Sequence, residues 1–173
     1  MPRVARKPDA ERRAATVAEA RALAHPDRLR IIRLTYDQEL TNAEIAAKLG
    51  RDPASTLHHV RTLTDTGFLE ALPVRRGARG SRERPYRSTG KSWAMDTDGT
   101  GINLAEAMLG AFQAEIATAT EPDLNRLALS LSEEQHKDFT DRLHALLREA
   151  ASWDPVEDGK RIAVFLALYD REP

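Results

Sequence analysis

Six arginines stand between residues 75 and 87 (Arg75, Arg76, Arg79, Arg82, Arg84 and Arg87) against a single carboxylate, Glu83. A guanidinium is planar, permanently charged and carries paired N–H donors that match phosphate oxygens, so such a run is chemically suited to gripping a polyanion. Just upstream, Ser55, Thr56, His58 and Arg61 fall within one stretch whose next carboxylate is Asp65. Hydroxyl, imidazole and guanidinium groups on a surface without carboxylates can hydrogen-bond base edges or phosphates. A charge run by itself is ordinarily a solvated face. The elements that carry these residues argue for more than that.

Thr41-Asn42-Ala43-Glu44 has capping-box spacing, which starts a helix expected to run to about Leu49. Gly50 suits the left-handed residue that stops it, Asp52 can cap a second helix, and Pro53 sits where a missing N–H costs nothing. The second helix, about 53–66, turns Val60 and Leu63 inward together with Leu57 or Thr56. Ser55, His58, Arg61 and Thr62 are left largely outward, and His59 is expected to be half-buried, fixing the helix on its neighbour. Phe68–Val74 and Pro85–Thr89 then read as two short strands joined through a glycine-rich tip. Helix, tight turn, helix and hairpin in that order suit insertion of one helix in a major groove while the hairpin tracks phosphates or the minor groove. The residues expected to touch DNA are Ser55, Thr56, His58, Arg61, Arg75, Arg79, Arg82, Arg84 and Arg87.

Further residues then carry a resemblance. Ala22-Leu23-Ala24-His25-Pro26-Asp27-Arg28-Leu29-Arg30-Ile31, the helix pair, His58-His59-Val60-Arg61-Thr62-Leu63 and Gly67-Phe68-Leu69 together resemble the winged helix-turn-helix regulators of the arsenic-repressor type, over roughly residues 15 to 90. The resemblance implies a dimeric, DNA-binding transcriptional regulator, usually a repressor released by an effector. Two departures stand out. Family members that sense metals through thiolates place cysteines where this chain reads Ala43-Glu44-Ile45-Ala46-Ala47, and the 173 residues include no cysteine, which excludes that chemistry. Leu57 stands where a small polar residue is common, and could touch a thymine methyl or turn inward.

Charge divides the chain. The overall balance is −1, but residues 1–91 carry 19 Lys+Arg against 11 Asp+Glu, a net of +8, and residues 92–173 carry 7 against 16, a net of −9. A polyanion-binding module joined to a part that stays off the polyanion would have this asymmetry. A basic module at 1–92 and a second region at 101–173 for dimerisation or an effector are therefore expected, separated by the turn-rich Met95–Gly101. A first helix is expected from about Asp9 or Ala10 to Ala24. In the second region, Leu104, Met108, Phe112 and Ile116 mark one helix, and Ser132-Glu133-Glu134-Gln135 caps another to about Ser152, with Phe139, Leu143, Leu146 and Leu147 on one face. Residues 126–131 and 161–169 read as short strands that could pair. The fold class is mainly α with a small β wing, the C-terminal region being helical with short strands.

Other chemistries find little support. Adjacent histidines such as His58 and His59 point about 100° apart on a helix, so they do not share a metal. His136, Asp138, Asp141 and His144 lie on one C-terminal helix, and some members of the resembled family bind zinc-like ions in such a place; their spacing favours a solvated face. The Gly77-x-x-Gly80 tip leads into a strand, unlike a phosphate-cradling loop, and no acid/base pair or nucleophile with its base is present, so neither an enzyme, a cofactor nor a metal is expected. No membrane span or secretory signal is visible, which makes the cytosol the expected compartment. Two readings follow: a homodimeric repressor binding double-stranded DNA in a sequence-specific way, and a winged adaptor docking an acidic protein partner.

Overall fold

The computed structural model describes residues 13–77, 80–153, 156 and 159–169, which form two compact units, one ending at Pro122 and the other beginning at Asp123. The first opens with β1 (Arg13–Ala14), α1 (Val17–Leu23) and α2 (Pro26–Leu34). Then come β2 (Leu40–Thr41), α3 (Asn42–Leu49), α4 (Pro53–Asp65), β3 (Leu69–Ala71), β4 (Arg75–Arg76), β5 (Arg82–Glu83) and β6 (Pro85–Ser88). A 3-10 turn (Lys91–Ala94), β7 (Met95–Asp96) and α5 (Ala105–Ile116) complete it. The second unit contains α6 (Glu133–Ser152).

Each helix of the central pair starts and stops where its local chemistry dictates. At α3, Thr41 and Glu44 form the reciprocal capping box, and Gly50 ends the helix at φ 64°. The Asp52 carboxylate accepts from the backbone N–H groups of Ala54 and Ser55, with Pro53 as the first helical residue of α4. Asn42 Nδ2 donates to the Pro53 carbonyl at 2.9 Å, fastening the start of one helix to the start of the other. Behind them Ile31, Ile45, Val60 and Leu63 are fully buried, with Phe68 and Leu69 closing the core. β6 is the centre of a three-stranded antiparallel sheet between β2 and β3, and its Ser88 N–H donates to Thr35 O at 2.9 Å, tying the wing to the end of α2.

Several expectations need correction. The first helix begins at Val17, because Thr16 and Glu19 form a capping box there, and Arg13–Ala14 instead pairs in parallel with Met95–Asp96; residues 9–12 lie outside the described residues. The stretch expected as a boundary therefore sits inside the first unit. That unit also takes in α5, which packs on α2 through Ala107 and Ala111, and a Cβ at Gly110 would meet Pro26 Cγ at 2.9 Å. Small residues let the two backbones approach closely. Residues 126–131 and 161–169 hold no strand: alternating Leu with Ala and Ser supplies an apolar stripe but weak β preference, and Leu127 is 73 % exposed. The α6 helix forms as expected, opened by a Ser132–Gln135 capping box.

Because Leu63 is fully buried at the joint of α4 with the core, Leu63→Ala is expected to lower unfolding stability by about 2–5 kcal/mol, read from the denaturant midpoint.

Candidate nucleic-acid interface

The buried stripe of α4 decides what its other side presents. Val60 and Leu63 face the core, and Thr56 joins them at 1 % exposure, its hydroxyl donating to Asp52 O at 2.9 Å. Thr56, expected among the DNA contacts, is thus a core residue. A β-branched side chain one turn before Val60 completes the apolar ridge, and its hydroxyl is satisfied within the helix. Leu57 is half-buried, while Ser55, His58 and Arg61 are exposed. The Ser55 hydroxyl donates to Asp52 O at 3.0 Å, which leaves its oxygen lone pairs outward. Thr62 donates to His58 O at 3.0 Å. His58 and Arg61 therefore stand as the long polar groups on this face.

The hairpin beyond has a register that the residue types alone do not reveal. Arg75 lies opposite Glu83, and Arg76 opposite Arg82, so two guanidiniums face each other across the strands. Like charges directly opposite destabilise a ladder, and here no other described residue forms an ion pair with Arg76 or Arg82. Glu83, the one carboxylate of the wing, is folded back: its Oε1 accepts from Ser81 Oγ at 3.1 Å, and it occupies the space a Cβ on Gly77 would need. The cationic surface is left bare as a result.

Not every expected arginine belongs to that surface. Arg82 and Arg84 are exposed on the wing, as is Arg75, whose charge lies near Glu44. Arg87 is different, with its guanidinium 2.7 Å from Glu70 and 3.5 Å from Glu39, because Glu70 is its cross-strand partner. It staples the sheet and is already matched in charge. Arg79 lies outside the described residues. Arg76 was not among the expected contacts, and the register that sets it against Arg82 is visible only in the folded hairpin.

Ion pairs and caps hold the platform. Glu19 accepts from Arg13 and the Thr16 N–H and lies 2.6 Å from Lys91 Nζ, and these donors, Arg13 foremost, hold its carboxyl well below the usual range. Lys91 also donates to Thr66 O at 2.5 Å, so α1, the end of α4 and the exit of the wing share one polar knot. Glu44 is likewise shifted down, first by the Thr41 backbone N–H, which fixes it as a capping anion.

On the inner side of α4, the half-buried His59 ring lies 4.4 Å from that of His25, the N-cap of α2, as expected of a residue that fixes the helix on its neighbour. Donor atoms of His25, Asp27 and His59 all fall within 4.8 Å of one another. They make a poor cation site, because His25 Nδ1 already accepts the Asp27 N–H at 3.1 Å. The Asp27 oxygens are likewise taken, held by Arg51 at 3.0 Å and Arg30 at 3.4 Å. On α6, Asp141 is paired with Lys137, with His144 also close enough to act on its charge, and Asp138 is paired with Arg142, all on an exposed helix.

A capped helix pair followed by an arginine hairpin, with β3 and β6 joining β2 in a three-stranded sheet, defines a winged helix-turn-helix, mainly α with a small β element. Residues 23–70 match the family described as a helix-turn-helix domain. The match falls inside the region that resembles arsenic-repressor-type regulators. Among solved structures, the transcriptional regulator SlyA is 13% identical, covering 72% of this chain and 74% of that one, with a TM-score of 0.32. Lactococcus lactis ZitR, a mutant in apo form, is 21% identical over 76% of this chain and 86% of its own, with a TM-score of 0.33. S. aureus MepR, a mutant bound to an oligodeoxyribonucleotide, is 18% identical over 77% and 78%, with a TM-score of 0.30. Overlaps this loose carry no weight for the arrangement or partners of this chain. No curated protein matches it, and among the described residues no helix is long and apolar enough to cross a membrane.

Relieving the Arg76–Arg82 opposition should stabilise the free protein. Arg82→Thr is expected to gain about 0.2–1 kcal/mol at low salt, a gain that fades as salt is added, measured by thermal melting across ionic strengths.

Proposed function

We propose that this protein is a sequence-specific DNA-binding transcriptional regulator that acts as a homodimer, with α4 in the major groove and the arginine wing on the flanking backbone or minor groove. One observation carries the reading: an exposed pair of directly opposed arginines, Arg76 and Arg82, stands beside a helix whose outer face is free of carboxylates up to Asp65. The pair is unfavourable in isolation. A phosphate between or beside the two guanidiniums reverses the sign of their interaction. Arg75 and Arg84 extend the same surface, and the expected contact of Arg79 with DNA is kept as part of this proposal.

Base reading falls to His58 and Arg61, with Ser55 exposed on the first turn of the same helix. One such module covers only a few base pairs, so useful specificity calls for two, related by a two-fold axis and spaced about one DNA turn apart. Val17 on α1 and Met108 and Leu109 on α5 are each more than two-fifths exposed, which makes these helices suitable dimer surfaces. Repression is the sign of regulation implied by the resemblance, by occupying DNA that polymerase needs. A cytoplasmic location is part of the same proposal. The competing reading, an adaptor docking an acidic protein, uses the same arginines but gives His58 and Arg61 no role in sequence preference.

Selection of binding sites from random duplex DNA should yield a two-part site. Neutralising Arg76, Arg82 and Arg84 together is expected to weaken binding to every sequence and to lower the slope of log affinity against log salt by about 0.9 for each phosphate that is no longer neutralised. Arg61→Ala or His58→Ala should instead relax preference at particular positions, costing about 1–3 kcal/mol for the favoured base. Wild-type protein that selects no site, and whose weak binding ignores both sets of changes, would favour the adaptor.

A further inference from the structure

We propose that His25 and His59 form a proton-sensitive joint between α2 and the reading helix α4, so that acidification loosens α4 from its support and weakens the grip on DNA. This regulation rests on the DNA-binding reading for its effect, but the joint itself does not.

The two rings belong to different elements and stack at 4.4 Å with a 45° tilt. His25 caps α2 through a bare Nδ1 that accepts the Asp27 N–H, so a proton on that nitrogen would oppose the N–H it now receives, at the positive end of the helix. His59 Nδ1 is buried and has no hydrogen-bond partner among the described residues. The groups facing His25 are Arg28, Asp27 and Arg51; those facing His59 are His25, Arg28, Asp27 and His58. Cations outnumber the single carboxylate, which Arg51 and Arg30 already share. Arg28 is fixed in place, its guanidinium donating to the carbonyls of Ala22 and Arg21. A charge on either ring thus gains no counter-ion and repels the other ring.

Burial, above all, holds both imidazoles below their ordinary value, and for His59 the charge on His25 adds to it. The sign follows from linkage. Above about pH 6.5 both rings are neutral whether or not they are packed, and the contact carries no penalty. As pH falls below that, the undocked or unfolded state takes up protons first, and the packed joint loses stability until pH passes the lowered folded-state values. His58, the next residue, is exposed on the outer face of the same helix, so the test replaces it to isolate the joint.

The test uses the full chain, whose five histidines make an NMR titration of the imidazoles tractable. His25 and His59 should titrate below the ordinary imidazole value of about 6.5. Binding of His58→Gln protein to duplex DNA chosen by site selection, at fixed ionic strength, should weaken about tenfold between about pH 7.5 and pH 5.5, the equivalent of one pKa unit. Adding His59→Gln, or His25→Asn if the first variant fails to fold, should flatten that dependence. Titration of both rings at or above the ordinary imidazole value, or an unchanged pH dependence in the doubly substituted protein, would overturn the proposal. Should no DNA bind even at about pH 7.5, the DNA-binding reading fails alone: a wild-type melting temperature that falls with acid below about pH 6.5, and does not fall in His25→Asn, still supports the joint, and equal falls in both proteins reject it.

Discussion

Helix α4 must be buried along one stripe and bare along the other, and the rest of the first unit is arranged around that division. Its inner ridge of Thr56, Val60 and Leu63 locks into Ile31, Ile45 and Phe68, which fixes the rotation of the helix about its own axis. A turn of a third of a revolution would put Val60 in water and His58 in the core. Packing therefore selects which polar side chains can reach a partner, with no contribution from the partner itself. The caps at Thr41 and Asp52 and the Asn42 clamp fix its position along the axis in the same way.

Charge is handled differently in the support and on the exposed surface. In the support, Glu19, Glu44, Glu70 and Asp27 each meet a cation or a backbone N–H, and together these contacts staple the elements. On the wing, Arg76 and Arg82 are set against each other while Glu83 is tucked against Gly77. A protein selected for stability alone would exchange one arginine of that pair for a neutral residue. Under the proposed function an anion would be the missing partner that makes keeping both worthwhile.

The histidines show how closely support and surface are coupled. His58 and His59 are consecutive, yet helix geometry sends one outward and the other toward His25. Any group on a reading helix that is also part of its anchorage links the state of the core to the strength of the grip.

Much of this is legible in the residues themselves. The capping boxes at Thr41 and Ser132, the Gly50 stop, the Asp52-Pro53 start and the hairpin follow from interactions spanning a few residues, so they are written locally, and the chain forms them as expected. The start of the first helix is harder to place, because the charged residues before it suit a helix equally well and the Thr16–Glu19 box alone marks where it begins. What tertiary structure decided lies at longer range: that Thr56 and not Leu57 completes the core, that Arg87 faces Glu70 and Glu39, that Arg76 meets Arg82, that α5 joins the first unit over Gly110, and that His25 finds His59. Residue types define what each side chain can do. Strand register, helix rotation and the meeting of distant segments decide which partner it gets, because those depend on burying the whole core at once.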